Sequence, residues 1–175
     1  SWPFFEDRHR KLAEDLEAFA KGLHVDHSDT DQACRSLVKA MGAAGWLQPT
    51  ASEHGAPLDV RTLCLSREIL ARHDGLADFA LAMQGLGTGA LSLFGTAEQK
   101  AAWLPKTRSG EAISAFALTE PQSGSDVANS TMTATDDGDS YVLNGEKTWI
   151  SNGGIAGHFI HGVAPSAATS TSVGA

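Results

Sequence analysis

Phe116-Ala117-Leu118-Thr119-Glu120-Pro121-Gln122-Ser123-Gly124-Ser125-Asp126, followed later in the chain by Lys147-Thr148-Trp149-Ile150-Ser151-Asn152, decide how this sequence is read. The first block predicts a β-strand, Phe116 to Leu118, running into a tight Gly/Ser loop. The second predicts a short strand that carries an indole beside a hydroxyl. A flat, polar-edged, phosphate-bearing ligand needs these parts: hydroxyl and backbone groups for a ring edge, an aromatic plane for a ring face, and loop N–H groups for a pyrophosphate.

Taken singly, the residues keep other readings open. Thr119 fits a ring-edge hydrogen bond, or a threonine that caps a strand end through its own backbone. Gly124 and Ser125 fit a phosphate-binding loop, or an ordinary turn. Trp149 fits stacking on a ligand, or core packing. Ser151, two residues on, shares a strand face with Trp149, as Leu118 does with Phe116. Asp126 suits orienting the loop backbone, since a carboxylate repels phosphate.

Outward from these blocks, Ile113 to Leu118 has the composition of a buried strand. Ser130 to Thr135 alternates, Asp136-Asp137-Gly138-Asp139 is a turn, and Tyr141-Val142-Leu143 starts a return strand. Before residue 111 the period is helical. Phe5, His9, Leu12, Leu16, Phe19 and Leu23 form one apolar stripe. Further helices are expected over about Asp29–Ala44, Val60–His73, a run after Asp74 ending at Gly95, and one opened by the Thr96-x-x-Gln99 capping box and running to about Lys106. His54-Gly55-Ala56-Pro57 belongs to a turn-rich connection.

Both blocks, in order and with a hairpin between them, closely resemble the flavin-binding signature of the acyl-CoA dehydrogenase family. That signature is aromatic-x-x-Thr-Glu-Pro-x-x-Gly-Ser-Asp, then Lys-x-Trp-Ile-Ser/Thr-Asn-Gly, and the resemblance covers about Trp2 to Ile160. It implies an α+β fold: an all-helical amino-terminal domain over 1–110, then a partial antiparallel β-barrel domain over 111–160. Residues 161–175, rich in Ser, Ala and Thr, depart from the family pattern and are expected to be a low-complexity tail on a truncated chain.

The resemblance also implies FAD as cofactor, bound by Phe116, Leu118, Thr119, Gly124, Ser125, Trp149 and Ser151, with Ser125 also reaching the acyl-CoA substrate. The implied reaction is α,β-dehydrogenation of an acyl-CoA thioester, with an electron-transfer flavoprotein as acceptor and a homo-oligomer in the full-length form. Glu120 looks like a general base, but the resemblance assigns it to the flavin-binding strand-turn and puts the base in a later helical domain. No catalytic residue is therefore named. An acyl-CoA oxidase, a flavin monooxygenase, or a non-catalytic flavin-binding fragment is the alternative.

Composition narrows the partners. The chain has 175 residues, 42% hydrophobic, and a net charge of −8 without a basic cluster, which argues against nucleic acid. Cys34 and Cys64 fall within helical patterns as small packing residues, so no disulfide or zinc framework is expected and a reducing cytoplasm is the default. No secretory pattern opens the chain. Leu76 to Phe94 is the one candidate membrane span, and Asp78, Gln84, Thr88 and Ser92 interrupt it. Gly85-x-Gly87-x-x-Ala90 matches a dinucleotide fingerprint in letters but lacks the strand–turn–helix context. The pairs His24/His27 and His158/His161 lack a third ligand and are expected on a solvated turn and a disordered end, respectively, so no metal site is named.

Overall fold

The computed structural model of the chain describes residues 3–52 and 57–164. Among the described residues, five α-helices precede four short strands: α1 (Asp7–Lys21), α2 (Thr30–Ala43), α3 (Val60–His73), α4 (Gly75–Phe94), α5 (Ala97–Ser109), β1 (Ser114–Ala117), β2 (Thr133–Asp136), β3 (Tyr141–Asn144) and β4 (His158–His161). The expected turn residues His54, Gly55 and Ala56 lie outside the described residues, as do residues 165–175 of the proposed tail.

The helices start where side chains can satisfy the free N–H groups of a first turn. Asp29 accepts from the Gln32 N–H, Asp59 from that of Thr62, and Asp74 from those of Leu76 and Ala77. Thr96 and Gln99 close the reciprocal box that was expected, and α5 runs past Lys106 to Ser109. The apolar stripe of α1 faces inward, and Leu16 belongs to the principal core with Leu37, Met41, Ile69, Leu70 and Leu81. His9 is also buried, its Nδ1 accepting from the Glu6 N–H and its Nε2 lying 3.3 Å from Asp59.

α4 is central, packing on α2, α3, α5, β1 and β4. Among the described residues no helix is long and apolar enough to cross a membrane. The polar residues of α4 point into the protein. Gln84 is fully buried: its Nε2 donates to the carbonyls of Thr107 (2.8 Å) and Ala112 (2.7 Å), and its Oε1 accepts from the Ser114 N–H (3.1 Å). One amide thus fixes the end of α5, the connection after it and the start of β1. Gly85 and Gly87 sit inside α4, away from any strand–helix turn.

Two features differ from the expected antiparallel domain. β2 and β3 do form an antiparallel hairpin, turned at Asp137–Ser140, but β1 pairs with β4 in parallel, with Ser114 opposite His158 and Ala117 opposite His161. Parallel neighbours need a crossover, here supplied by the hairpin and the 145–157 segment rather than by a helix. The pairing also carries order past residue 160. His161 is in β4, the Gly162 N–H donates to Ala117, and the Ala164 N–H donates to Met132.

Three further expectations change for the same reason, packing around these elements. His158 is buried and packs against Trp103 with the rings tilted at 31° (centroids 4.8 Å apart) instead of lying in a disordered end. Cys34 is buried but Cys64 is exposed, because α3 turns Thr62, Ser66, Ile69 and Leu70 inward and Cys64 lies off that face. Both cysteines are free. Lys147–Asn152 is not a strand: Trp149 and Asn152 take left-handed φ values of 58° and 62°.

Candidate functional site

β1 delivers its last residues to a cleft of about 400 Å³ beside α4. Phe116, Leu118 and Thr119 line one side, and Trp149, Ile150 and Ser151 line another. Met83 and Leu86 of α4 complete it with Ala115. Five of the seven residues assigned from sequence therefore meet in one place. Trp149 and Ser151 reach it without the strand that was expected to align them. The indole is 92% exposed, so it is not a core residue.

Gly124 and Ser125 are not on this cleft. They are exposed on the loop beyond Pro121. That loop is closed by paired backbone bonds between Glu120 and Ser123, and Ser123 Oγ donates to the Asp126 carbonyl. The Asp126 carboxylate accepts from the Asn129 side chain three residues on. Four lining residues, Met83, Leu86, Ala115 and Ile150, are not among those assigned from sequence. Met83 and Leu86 carried one signal: α4 is apolar on its outer as well as its inner side, and Leu86 stays half exposed.

Glu120 is 3% exposed and faces away from the cleft. One carboxylate oxygen accepts from the Thr131 N–H (2.6 Å), Thr131 Oγ1 (2.9 Å) and Gln122 Nε2 (2.7 Å). The other accepts from the Met132 N–H (3.0 Å) and Lys147 Nζ (2.7 Å). Lys147, followed by these backbone and hydroxyl donors, holds the carboxyl well below the usual carboxylate range despite burial. Such a group stays ionised and fully engaged, which does not suit a proton acceptor. Among the described residues, no side chain lining the cleft is titratable and no cluster of His, Cys, Asp or Glu could hold a metal ion.

The cleft's volume falls in the roughly 300–1,000 Å³ range of small-molecule sites, and its make-up is typical of them: apolar walls and a few polar groups. Thr119 and Ser151 supply hydroxyls, while Phe116, Leu118 and Trp149 supply apolar surface. Close by, Thr148 Oγ1 and Asn152 Nδ2 are buried without a hydrogen-bond partner. A flat ring system with a polar edge fits this donor set, and a highly charged ligand would find no counter-charge within the cleft.

Known proteins give the same picture. Residues 6–111 match the family model of the acyl-CoA dehydrogenase N-terminal domain, and residues 115–173 match that of the acyl-CoA dehydrogenase middle domain. The chain belongs to the acyl-CoA dehydrogenase family. It is 42% identical over 125 residues to the mitochondrial very long-chain specific acyl-CoA dehydrogenase of Rattus norvegicus, covering 70% of this chain and 19% of that one. It is 41% identical over 141 residues to the mitochondrial short-chain specific acyl-CoA dehydrogenase of Homo sapiens, covering 78% and 33%. The crystal structure of a Bacillus anthracis acyl-CoA dehydrogenase complexed with FAD superposes with a TM-score of 0.77 at 35% identity, covering 90% of this chain and 28% of that one. The chain thus spans a third or less of the length of these acyl-CoA dehydrogenases.

Proposed function

We propose that this chain forms part of a flavoprotein that dehydrogenates an acyl-CoA thioester between its α and β carbons. The observation that carries this reading is the convergence of Phe116, Leu118, Thr119, Trp149 and Ser151 on one cleft, from two sequence blocks separated by a hairpin. FAD, when bound, would supply the hydride acceptor.

The chain's own residues bind and orient. Thr119 and Ser151 offer hydroxyls to a ring edge, and Trp149 offers a face. Gly124, with open space where a Cβ would be, and Ser125 present an exposed loop for the pyrophosphate and the acyl-CoA ligand. Among the described residues none that lines the cleft is titratable, and we assign the base to another part of the whole protein. Electron-transfer flavoprotein is the acceptor we assign, with a homo-oligomeric whole protein.

The experiment is to mix the purified chain with FAD, remove the excess by gel filtration and record the visible spectrum. Retained flavin absorption, with quenched flavin or Trp emission, is expected. A colourless chain would sink the reading.

A further inference from the structure

Two of the site's segments are joined beneath the cleft by buried polar contacts that the binding role of Thr119 and Trp149 leaves unexplained. Lys147 is 5% exposed at its side chain, and its Nζ donates both to Glu120 (2.7 Å) and to the Leu118 carbonyl (2.8 Å). Next to it, the Thr148 N–H donates to the Thr119 carbonyl at 2.9 Å. The first segment is held in turn by the Glu120 bonds to Thr131 and Met132.

Trp149 follows immediately, in the left-handed region that a side chain with a Cβ avoids. Its indole is almost wholly exposed, so packing of the ring does not stabilise that backbone. Anchors on either side must do so. Downstream, the Ile150 carbonyl accepts from Gly153, the Asn152 carbonyl accepts from Ile155 and Ala156, and Ile155 enters the principal core. Upstream, the anchor is the Lys147 pair and the Thr148–Thr119 bond. Strained conformations of this kind persist only where their surroundings over-determine them, and they concentrate at functional sites.

We propose that the buried Glu120–Lys147 pair is a positioning device: it clamps Leu118–Thr119 to Lys147–Thr148 and so presents Trp149 at the cleft. Glu120 and Lys147 act through the backbone of the two segments and touch no ligand. The inference rests on the flavin-site reading for its consequence, but the clamp itself can be measured without flavin.

The test uses Lys147→Met, Glu120→Gln and Lys147→Arg, with Leu70→Ala as a core change elsewhere. In the flavin-free chain, amide hydrogen exchange by NMR should show the Thr148 N–H exchanging faster in Lys147→Met and Glu120→Gln, relative to the α3 amides of the same sample. An unchanged relative rate overturns the clamp. In FAD titrations the dissociation constant should rise about tenfold or more in both variants, the scale of one lost charge-assisted hydrogen bond. Lys147→Arg should lie closer to the parent, and Leu70→Ala, measured well below its melting temperature, should match it. Parent-like FAD affinity in both pair variants overturns the positioning role. Should Lys147→Met not fold, Glu120→Gln, which keeps the shape, decides alone. If the parent chain takes up no FAD, the functional reading fails while the exchange result still decides the clamp.

Discussion

Gly87 of α4 presses against Ser114 of β1 so closely that a Cβ on the glycine would lie 2.4 Å from the serine Cβ and 2.9 Å from the Ala115 N–H nitrogen. This contact sets how near the helix comes to the strand that feeds the cleft, since Leu86 precedes Gly87 and Ala115 follows Ser114 among the lining residues. Gly87→Ala must push helix and strand apart. Overpacking of this type costs about 1–3 kcal/mol, and each kcal/mol lowers the melting temperature by roughly 2–4 °C for a chain of this size. Adding Ser114→Gly should recover part of the loss, although the clash with the Ala115 nitrogen remains. Thermal unfolding of the single and double variants checks this.

Gln84 makes a sharper demand, because all of its bonding capacity used here goes to backbone. Gln84→Leu fills the same space but takes the Gln84 amide from the buried Ala112 carbonyl and Ser114 N–H, while the Thr107 carbonyl keeps the longer bond from the Gly110 N–H. An unsatisfied buried group costs about 1–3 kcal/mol, so a loss on the order of 2–4 kcal/mol is expected from chemical denaturation. By contrast Ser114 Oγ is buried with no partner, so Ser114→Ala should be neutral or stabilising.

Acid should weaken the β1–β4 region first. Burial pushes the His158 imidazole below its ordinary pKa, and burial with the nearby Lys147 charge does the same to His161. The unfolded chain then binds protons more readily than the folded one. Stability from these groups is complete above the ordinary histidine value of about 6.5 and is lost as pH falls through the lower folded values. Glu120 and Asp59 do not contribute in that window. Both carboxyls are held below the usual range, Glu120 first by Lys147 and Asp59 by hydrogen bonds from Thr62, Arg8 and His9 that outweigh its burial. Melting temperature should therefore decline from pH 7.5 to 5. His158→Phe, which keeps the ring on Trp103, should flatten the slope.

Much of the helical half was legible because its signals are local. Asp29, Asp59, Asp74 and Thr96 cap the helices that their own sequence positions announce. The hairpin was legible from Asp136-Asp137-Gly138-Asp139, where Gly138 takes a positive φ of 79°. The parallel β1–β4 pair was not, since no local signal links Ser114 to His158 across the intervening chain. The cleft was half legible. Phe116, Thr119 and Trp149 belong to recognisable blocks, whereas Met83 and Leu86 join through tertiary packing of α4. The Lys147 to Ser151 geometry was hidden as well: a period-of-two reading cannot show the left-handed turn at Trp149.

Trp149 offers the cleanest separation of binding from stability. An indole that is 92% exposed contributes little to folding, and its backbone is held by neighbours rather than by its ring. Trp149→Ala should leave the melting temperature within about 2 °C of the parent, since surface changes usually fall within about 0.5 kcal/mol. The same change removes an aromatic face from the proposed flavin site. A stacked aromatic pair contributes about 0.5–1.5 kcal/mol beyond its buried area, so FAD affinity should fall by roughly 2–10-fold or more. Trp149→Phe should retain part of it, because the ring face survives. Thr119→Val, which exchanges the hydroxyl for a methyl at the same shape, should weaken FAD binding without opening the cleft. Fluorescence titration against FAD, paired with thermal unfolding of each variant, measures both quantities. A Trp149→Ala chain that loses stability but binds FAD as tightly as the parent would place the indole in the fold and not in the site.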